Sequence, residues 1–299
     1  MELAELLRKG MIPGGYVIER ELGRGGMGAV YLVFNEPEGR RRALKVILPR
    51  LAADERARKL FLREMANCQA LDHPNVVRTY DSGYAEGIFY LMMEFCDGVN
   101  LDRLLVADGV RSVDEALAII DDVLAGLEYV HTAEIPNVRA EQGGAGQSTG
   151  LVHRDLKPQN IFLSTDGGRR VAKVGDFGLA KAFDLAGLSG MTETGKASGT
   201  PAFIPRQQAL NYKYVRPEVD VWAAAATLYR ILTGYTPRDF PPGENRWRRV
   251  SGTDSVPILD RGIALPASLA RVIDEALVDR PEIKFKSAAE FRAALDSAR

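Results

Sequence analysis

The sequence predicts an α+β fold in two lobes: a small β-rich N-terminal lobe with one helix and a larger, mostly α-helical C-terminal lobe. Two observations predict it. Residues 16 to 96 alternate β-like runs with a single helical segment. Residues 97 to 299 are dominated by helical periodicity, at Val113 to His131, Val219 to Leu232, Ala267 to Leu277 and Ala288 to Ala298. Composition allows a packed interior, since 46% of the 299 residues are hydrophobic, and a chain of this length forms one large or two ordinary domains.

Along the N-terminal lobe, Tyr16 to Leu22 and Ala29 to Phe34 read as strands joined through Leu22-Gly23-Arg24-Gly25-Gly26-Met27-Gly28-Ala29-Val30. This is a Gly-x-Gly-x-x-Gly-x-Val pattern. Glycines at a strand-to-strand turn let backbone N–H groups approach a phosphate without interference from Cβ. A plain hairpin or a dinucleotide-binding turn gives the same pattern, but the latter needs a helix directly after the glycines, and here β-branched and aromatic residues follow. Ala43-Leu44-Lys45-Val46-Ile47 is an apolar strand carrying one lysine; alone, it would be a snorkelling surface lysine. A helical pattern runs from about Ala57 to Leu71 and contains Glu64, which alone would be a solvated helix residue. Leu91-Met92-Met93-Glu94-Phe95-Cys96-Asp97-Gly98 reads as a core strand running into a turn.

The richest chemistry lies in His153-Arg154-Asp155-Leu156-Lys157-Pro158-Gln159-Asn160, followed by Asp176-Phe177-Gly178. Phosphoryl transfer asks little covalent chemistry of a protein. It needs a hydroxyl held in line with a phosphate, and cations that neutralise charge on the transferring oxygens. Asp155 is suited to accept a hydrogen bond from the attacking hydroxyl, and Lys157 to sit against the phosphate being moved. Asn160 and Asp176 are hard oxygen ligands suited to magnesium, which prefers one or two protein oxygens plus phosphate oxygens.

Taken in order, these motifs resemble the eukaryotic-type (Hanks-type) serine/threonine protein kinase family in its bacterial-like subgroup, over roughly residues 16 to 296. The resemblance implies a bilobal kinase domain over 16–296, with an N-lobe at 16–96, a C-lobe at 97–296 and a short extension at 1–15. It implies that ATP and magnesium (or manganese) are the cofactors. Asp155, Lys157, Asn160, Asp176 and Thr200 would be catalytic, and Asn160 and Asp176 would hold the metal. Leu22, Gly23, Gly25, Gly28, Val30, Ala43, Lys45, Glu64, Met93, Glu94 and Cys96 would form the nucleotide site. Within it Glu64 would pair with Lys45, Met93 would be the gatekeeper, and the backbone at Glu94 and Cys96 would meet the adenine edge. Asp220 would anchor the catalytic-loop backbone. Arg154, Phe177 and Gly178 would be regulatory.

The resemblance makes Gly178 to Thr200 the activation segment, holding Ser189, Thr192, Thr194 and Ser198. Thr192 and Thr194 are expected autophosphorylation sites: a phosphate there adds charge and acceptors that would order the loop against Arg154. Glu134 to Gly150 is a polar insertion that reads as a solvated surface loop. One motif departs from the family. Where Ala-Pro-Glu is usual, this chain has Pro205-Arg206-Gln207, and Lys284 stands at the position of the arginine that normally pairs with the glutamate. Gln207 and Lys284 are therefore expected to form a neutral-to-charged hydrogen bond.

Composition excludes other classes. A formal net charge of −1 gives no global basic field for nucleic acid or an anionic membrane; Arg40-Arg41-Arg42 and Arg246 with Arg248-Arg249 read as solvated loop faces. Cys68 and Cys96 fall at apolar positions, make neither a disulfide framework nor a metal site, and suit a reducing cytoplasm. The start of the chain has too short an apolar run for a signal peptide, and no stretch reaches transmembrane length. The expected partners are proteins bearing serine or threonine, with a transient homodimer serving autophosphorylation. Two other functions fit fewer residues. A nucleotide-binding pseudokinase scaffold draws only on Pro205-Arg206-Gln207, and a small-molecule phosphotransferase leaves Gly199 to Phe203, a peptide-substrate platform, unexplained.

Overall fold

A computed structural model describes residues 15–25, 28–47, 55–85, 88–134, 150–178, 200–212 and 215–299. Ser189, Thr192, Thr194 and Ser198 lie outside the described residues, as do the interior of the 134–150 insertion and the chain before Gly15.

The N-terminal lobe is a five-stranded antiparallel sheet in the order β1-β2-β3-β5-β4, with one helix against it. Its elements are β1 (Tyr16–Gly25), β2 (Gly28–Asn35), β3 (Arg40–Ile47), α1 (Glu55–Gln69), β4 (Thr79–Ala85) and β5 (Ile88–Glu94). Alternation along β5 explains why its sequence is apolar from Ile88 to Met93: both faces are covered. Phe89, Leu91 and Met93 face α1 and share one buried cluster with Phe61 and Met65, while Tyr90 and Met92 join Val33, Leu44 and Val46 on the other face. Phe61 and Phe89 pack with ring centroids 4.3 Å apart. The same alternation puts Lys45 between Ala43 and Ile47, on the α1 side of β3. The helix ends before the expected Leu71, which closes a final turn through its N–H to Cys68 O (3.2 Å) and remains in the core. Its apolar period outlasts the helix because the core does.

The C-terminal lobe is built on α3 (Val113–Thr132) and α5 (Glu218–Thr233). Ser112 starts α3 by accepting the Glu115 N–H at 3.3 Å. α5 is apolar nearly all round and accordingly buried, with Trp222 and Tyr229 at 0% exposure, and it ends at Gly234 with φ 75°. Around this pair lie α2 (Leu101–Asp108), the hairpin β6 (Ile161–Asp166) and β7 (Arg169–Val174), α4 (Arg206–Leu210), α6 (Arg246–Gly252), α7 (Ala267–Ala276) and α8 (Ala288–Ser297). The four long C-terminal helices match the sequence periodicity to within a residue or so at each end. α2, α4 and α6, of eight, five and seven residues, were not anticipated, because helices this short carry too little period to read. Among the described residues no helix is long and apolar enough to cross a membrane.

Candidate active site

A cleft of about 430 Å³ opens between the sheet and the helical lobe. Leu22, Gly23, Val30, Ala43 and Lys45 line it from β1 to β3, Met93, Glu94 and Cys96 from the end of β5 and the turn after it, and Asp176 from beyond β7. Sequence reasoning missed Phe162, Val77 and Arg103, which also line it. Gly25 and Gly28 do not line the cleft; they pair across the β1–β2 turn. Gly28 has φ 152°, and a Cβ there would collide with the Val46 carbonyl oxygen, so only glycine fits.

The cleft offers an apolar lining and a free backbone donor. Leu22, Val30, Ala43 and Phe162 give it apolar walls, and the backbone N–H of Cys96 makes no hydrogen bond among the described residues, leaving a donor for a ligand's acceptor. Met93 is 8% exposed and closes the back, where a small recess lies between it, Thr79, Cys68 and Phe177. Burial, with Glu94 nearby, pushes the Cys96 thiol up to about 12, so it stays a neutral thiol.

At the inner end, Lys45 Nζ donates to Asp176 Oδ1 at 2.7 Å. Burial alone would raise the Asp176 carboxyl; the Lys45 ammonium and its hydrogen bond outweigh this and hold the group below the usual carboxylate range. The expected Lys45–Glu64 pair is not the contact formed. Glu64 is buried on α1 at 2% exposure, outside the cleft lining, while the lysine is satisfied by the carboxylate that Asp176 presents from a left-handed backbone at φ 61°. The following Phe177 is buried against the His153 ring (4.7 Å between centroids), and its carbonyl accepts from Cys68 Sγ at 3.2 Å. Gly178, at φ 70°, approaches the same sulfur so closely that a Cβ would come within 2.8 Å of it.

The catalytic-loop candidates converge beside this pair. Lys157 Nζ donates to Asp155 Oδ2 at 2.7 Å, and the Asp155 side chain stays 27% exposed and open to a substrate. Asn160 Nδ2 donates to the Asp155 carbonyl at 2.8 Å, which leaves its amide oxygen free to act as a ligand. The Gly175 N–H donates to Asn160 O at 2.9 Å, tying the loop of Asn160 to that of Asp176. Asn160 Oδ1 and the second oxygen of Asp176 are a donor set that fits a hard divalent cation. His153 supports the loop from beneath: Nδ1 accepts the Asp155 N–H at 3.2 Å and Nε2 donates to Gly175 O at 2.8 Å, which assigns the neutral Nε2–H tautomer.

The loop hangs from α5. Asp220, 1% exposed, accepts from the His153 N–H (2.7 Å), the Arg154 N–H (2.9 Å) and His131 Nε2 (2.8 Å). Burial would raise this carboxyl, but the His131 hydrogen bond and charge, with the His153 contacts, bring it below the usual range. Arg154 has a left-handed φ of 67°; its Nε is buried with no acceptor among the described residues, and its guanidinium lies 5.6 Å from the Tyr212 ring centre. Thr200 begins the turn Pro201–Phe203, its carbonyl accepting the Phe203 N–H at 3.0 Å.

The expected Gln207–Lys284 hydrogen bond does not form. Gln207 Nε2 donates to the Asp279 carbonyl at 2.9 Å, and Lys284 pairs at the surface with Glu275 at 2.6 Å. The buried ion pair of this region belongs to Arg206, whose Nη1 donates to Asp279 Oδ1 at 2.7 Å and whose N–H donates to Oδ2 at 2.7 Å. Arg238 binds the same carboxylate from the other side. The physical reason is charge: a buried carboxylate draws guanidinium groups, which satisfy both oxygens, in preference to a neutral amide.

Comparison with known proteins places these features in context. The family model described as protein kinase domain matches residues 16–251. The chain is 34% identical over 301 residues to the serine/threonine-protein kinase PknJ of Mycobacterium tuberculosis, covering 99% of this chain and 47% of that protein. It is 33% identical over 285 residues to PknB of the same organism, covering 94% and 42%. It thus spans about half the length of the curated relatives it matches. A crystal structure of the Mycobacterium tuberculosis PknI kinase domain superposes with a TM-score of 0.69 at 26% identity, covering 97% of this chain and 98% of that one.

Proposed function

The chain belongs to the protein kinase family, as a serine/threonine kinase domain of the bacterial eukaryotic-type group, and from this we propose that it transfers the γ-phosphoryl group of ATP to serine and threonine hydroxyls of proteins, its own activation segment included. The domain is taken to span 16–296, with the lobes meeting near residue 96. The observation that supports the reading is the Lys45–Asp176 pair at the inner end of the cleft, with the loop of Asp155, Lys157 and Asn160 tied to it through the Gly175 N–H and the Asn160 carbonyl.

When bound, ATP with magnesium supplies the transferable phosphoryl group and neutralises charge that develops on its oxygens. The residues of this chain divide the remaining tasks. The β1–β2 turn covers the phosphates, with Gly23, Gly25 and Gly28 bringing backbone donors close. Lys45 holds phosphate oxygens, and Glu64 on α1 is the residue that would steady it in a closed lobe arrangement. Asn160 and Asp176 hold the cation. Asp155 orients the incoming hydroxyl and accepts its proton, while Lys157, together with Thr200, steadies the reacting groups. Hinge contacts come from the backbone at Glu94 and Cys96, with Met93 bounding the adenine site. Arg154 is the partner for phosphate on Thr192 or Thr194, added in trans by a second copy in a transient homodimer. Phe177 and Gly178 set the placement of Asp176. Cys68 and Cys96, buried and in no disulfide, favour a reducing, cytoplasmic setting.

Incubation with γ-labelled ATP and Mg²⁺, beside Asp155→Asn, followed by phosphosite mapping tests this. Label on protein that disappears in the variant is the expected result, with Thr192 or Thr194 among the sites. ATP binding without any transfer to protein would overturn it.

A further inference from the structure

α4 follows the substrate-side turn Pro201–Phe203 and is fixed to the core at its first two residues. Arg206 binds Asp279 through both its N–H and its guanidinium, and Gln207 binds the Asp279 carbonyl. The third residue, Gln208, faces the other way and is 2% exposed. Burying a carboxamide is unfavourable unless its donors are used. Gln208 Nε2 spends one on the Arg154 carbonyl oxygen at 2.6 Å. That carbonyl belongs to the peptide joining Arg154 to Asp155. On the other side of Arg154, its own N–H is held by Asp220 Oδ1 at 2.9 Å. Arg154 is thus clamped at both ends while its backbone sits at φ 67°, a conformation disfavoured for a residue with a side chain and kept only where the surroundings enforce it.

We propose that Gln208 is a positioning residue for phosphoryl transfer: by holding the Arg154 carbonyl it sets the backbone that aims the Asp155 carboxylate. The proposal rests on Asp155 being the base. It also makes α4 a mechanical link, because the helix that anchors the end of the activation segment through Arg206 reaches the catalytic loop two residues later. Gln208 does not line the nucleotide cleft, so its loss acts on turnover and leaves nucleotide binding alone.

The test is steady-state kinetics of wild type, Gln208→Leu and Gln208→Glu on casein, with thermal melting of each. Gln208→Leu keeps size and removes the donor; it is expected to lower kcat about 10-fold with the KM for ATP within about twofold of wild type. In Gln208→Glu only the protonated carboxyl can donate to the carbonyl. Its kcat relative to wild type should therefore recover as pH falls from about 8 to about 6, since burial beside a carbonyl raises a carboxyl, whereas the ratio for Gln208→Leu stays flat. A kcat for Gln208→Leu within about twofold of wild type overturns the proposal. If that variant melts too early to assay, a pH-flat Gln208→Glu ratio overturns it instead. Wild-type protein that binds ATP yet transfers nothing sinks the kinase reading, and this proposal with it; an active wild type with indifferent variants sinks the proposal alone.

Discussion

Lys45 and Asp176, 131 residues apart in the chain, form a 2.7 Å ion pair that joins the sheet to the loop after β7. Both side chains are mostly shielded, at 18% and 22% exposure, so the pair is screened less than a surface bridge. It brings together the residue proposed to hold phosphate and the one proposed to hold the cation, and it keeps the carboxylate ionised.

Lys45→Met should therefore do two things. Phosphotransfer should fall by at least about 100-fold, because the charge facing the phosphates is gone. Stability at neutral pH should fall by about 1–2 kcal/mol, because Asp176 keeps its burial and loses its cation. The pH dependence has a definite sign. A carboxyl held below its unfolded-state value contributes stability that is complete above that value, about 3.9, and is lost as pH falls through the folded one. The gap between wild type and Lys45→Met in denaturant titrations should accordingly be widest near neutrality and narrow in acid. A gap that widens in acid would contradict the pairing.

How legible these contacts were in the sequence depended on their range. Asp155, Lys157 and Asn160 lie within six residues of one another, so local spacing alone places them together. Lys45 could be put on the cleft side of β3 because strand alternation leaves two choices and Ala43 and Ile47 take the core side with it. The Arg206–Asp279 pair spans 73 residues and no local spacing connects its ends, so the sequence points to Gln207 and Lys284 for the role instead. Arg238 follows Pro237 with no pattern to mark it, yet it is 1% exposed, because only the folded lobe brings the buried Asp279 carboxylate to it. Gln208 offered no signal at all: a buried glutamine is recognisable only once the carbonyl it serves is known.

The two-arginine cluster predicts an order of damage. Asp279 pairs with both Arg206 and Arg238, Asp254 adds a second, exposed carboxylate to Arg206, and burial pushes the Arg238 guanidinium down while Asp279 opposes that shift. Asp279→Asn would leave the buried Arg238 guanidinium without a carboxylate and Arg206 with only the exposed Asp254, and should cost about 3–5 kcal/mol. Arg206→Met removes one cation and leaves Asp279 paired with Arg238, so its cost should be clearly smaller, about 2 kcal/mol. Urea unfolding of both variants checks the order. Arg206→Met proving the more damaging would mean that Arg206 and not Asp279 organises the cluster.

Asp220 should dominate the acid stability of the C-terminal lobe. It is 1% exposed and accepts from two catalytic-loop N–H groups and from His131, and its carboxyl lies below the usual range because these donors outweigh burial. Stability from such a group is fully present above the unfolded-state value, about 3.9, and drains away as pH drops through the folded value. Asp220→Asn substitutes an NH₂ for one accepting oxygen and sets it against a donor. It should cost about 3–5 kcal/mol near neutral pH and flatten the acid limb of the stability curve. The same substitution should lower phosphotransfer, because the Arg154 N–H loses one of the two anchors that hold the loop of Asp155. Chemical unfolding across the acid range, run with the kinetic assay, separates the two effects. If Asp220→Asn kept the wild-type acid limb, the stability would have to reside in other carboxylates; if it kept wild-type turnover, the clamp on Arg154 would be held by Gln208 alone.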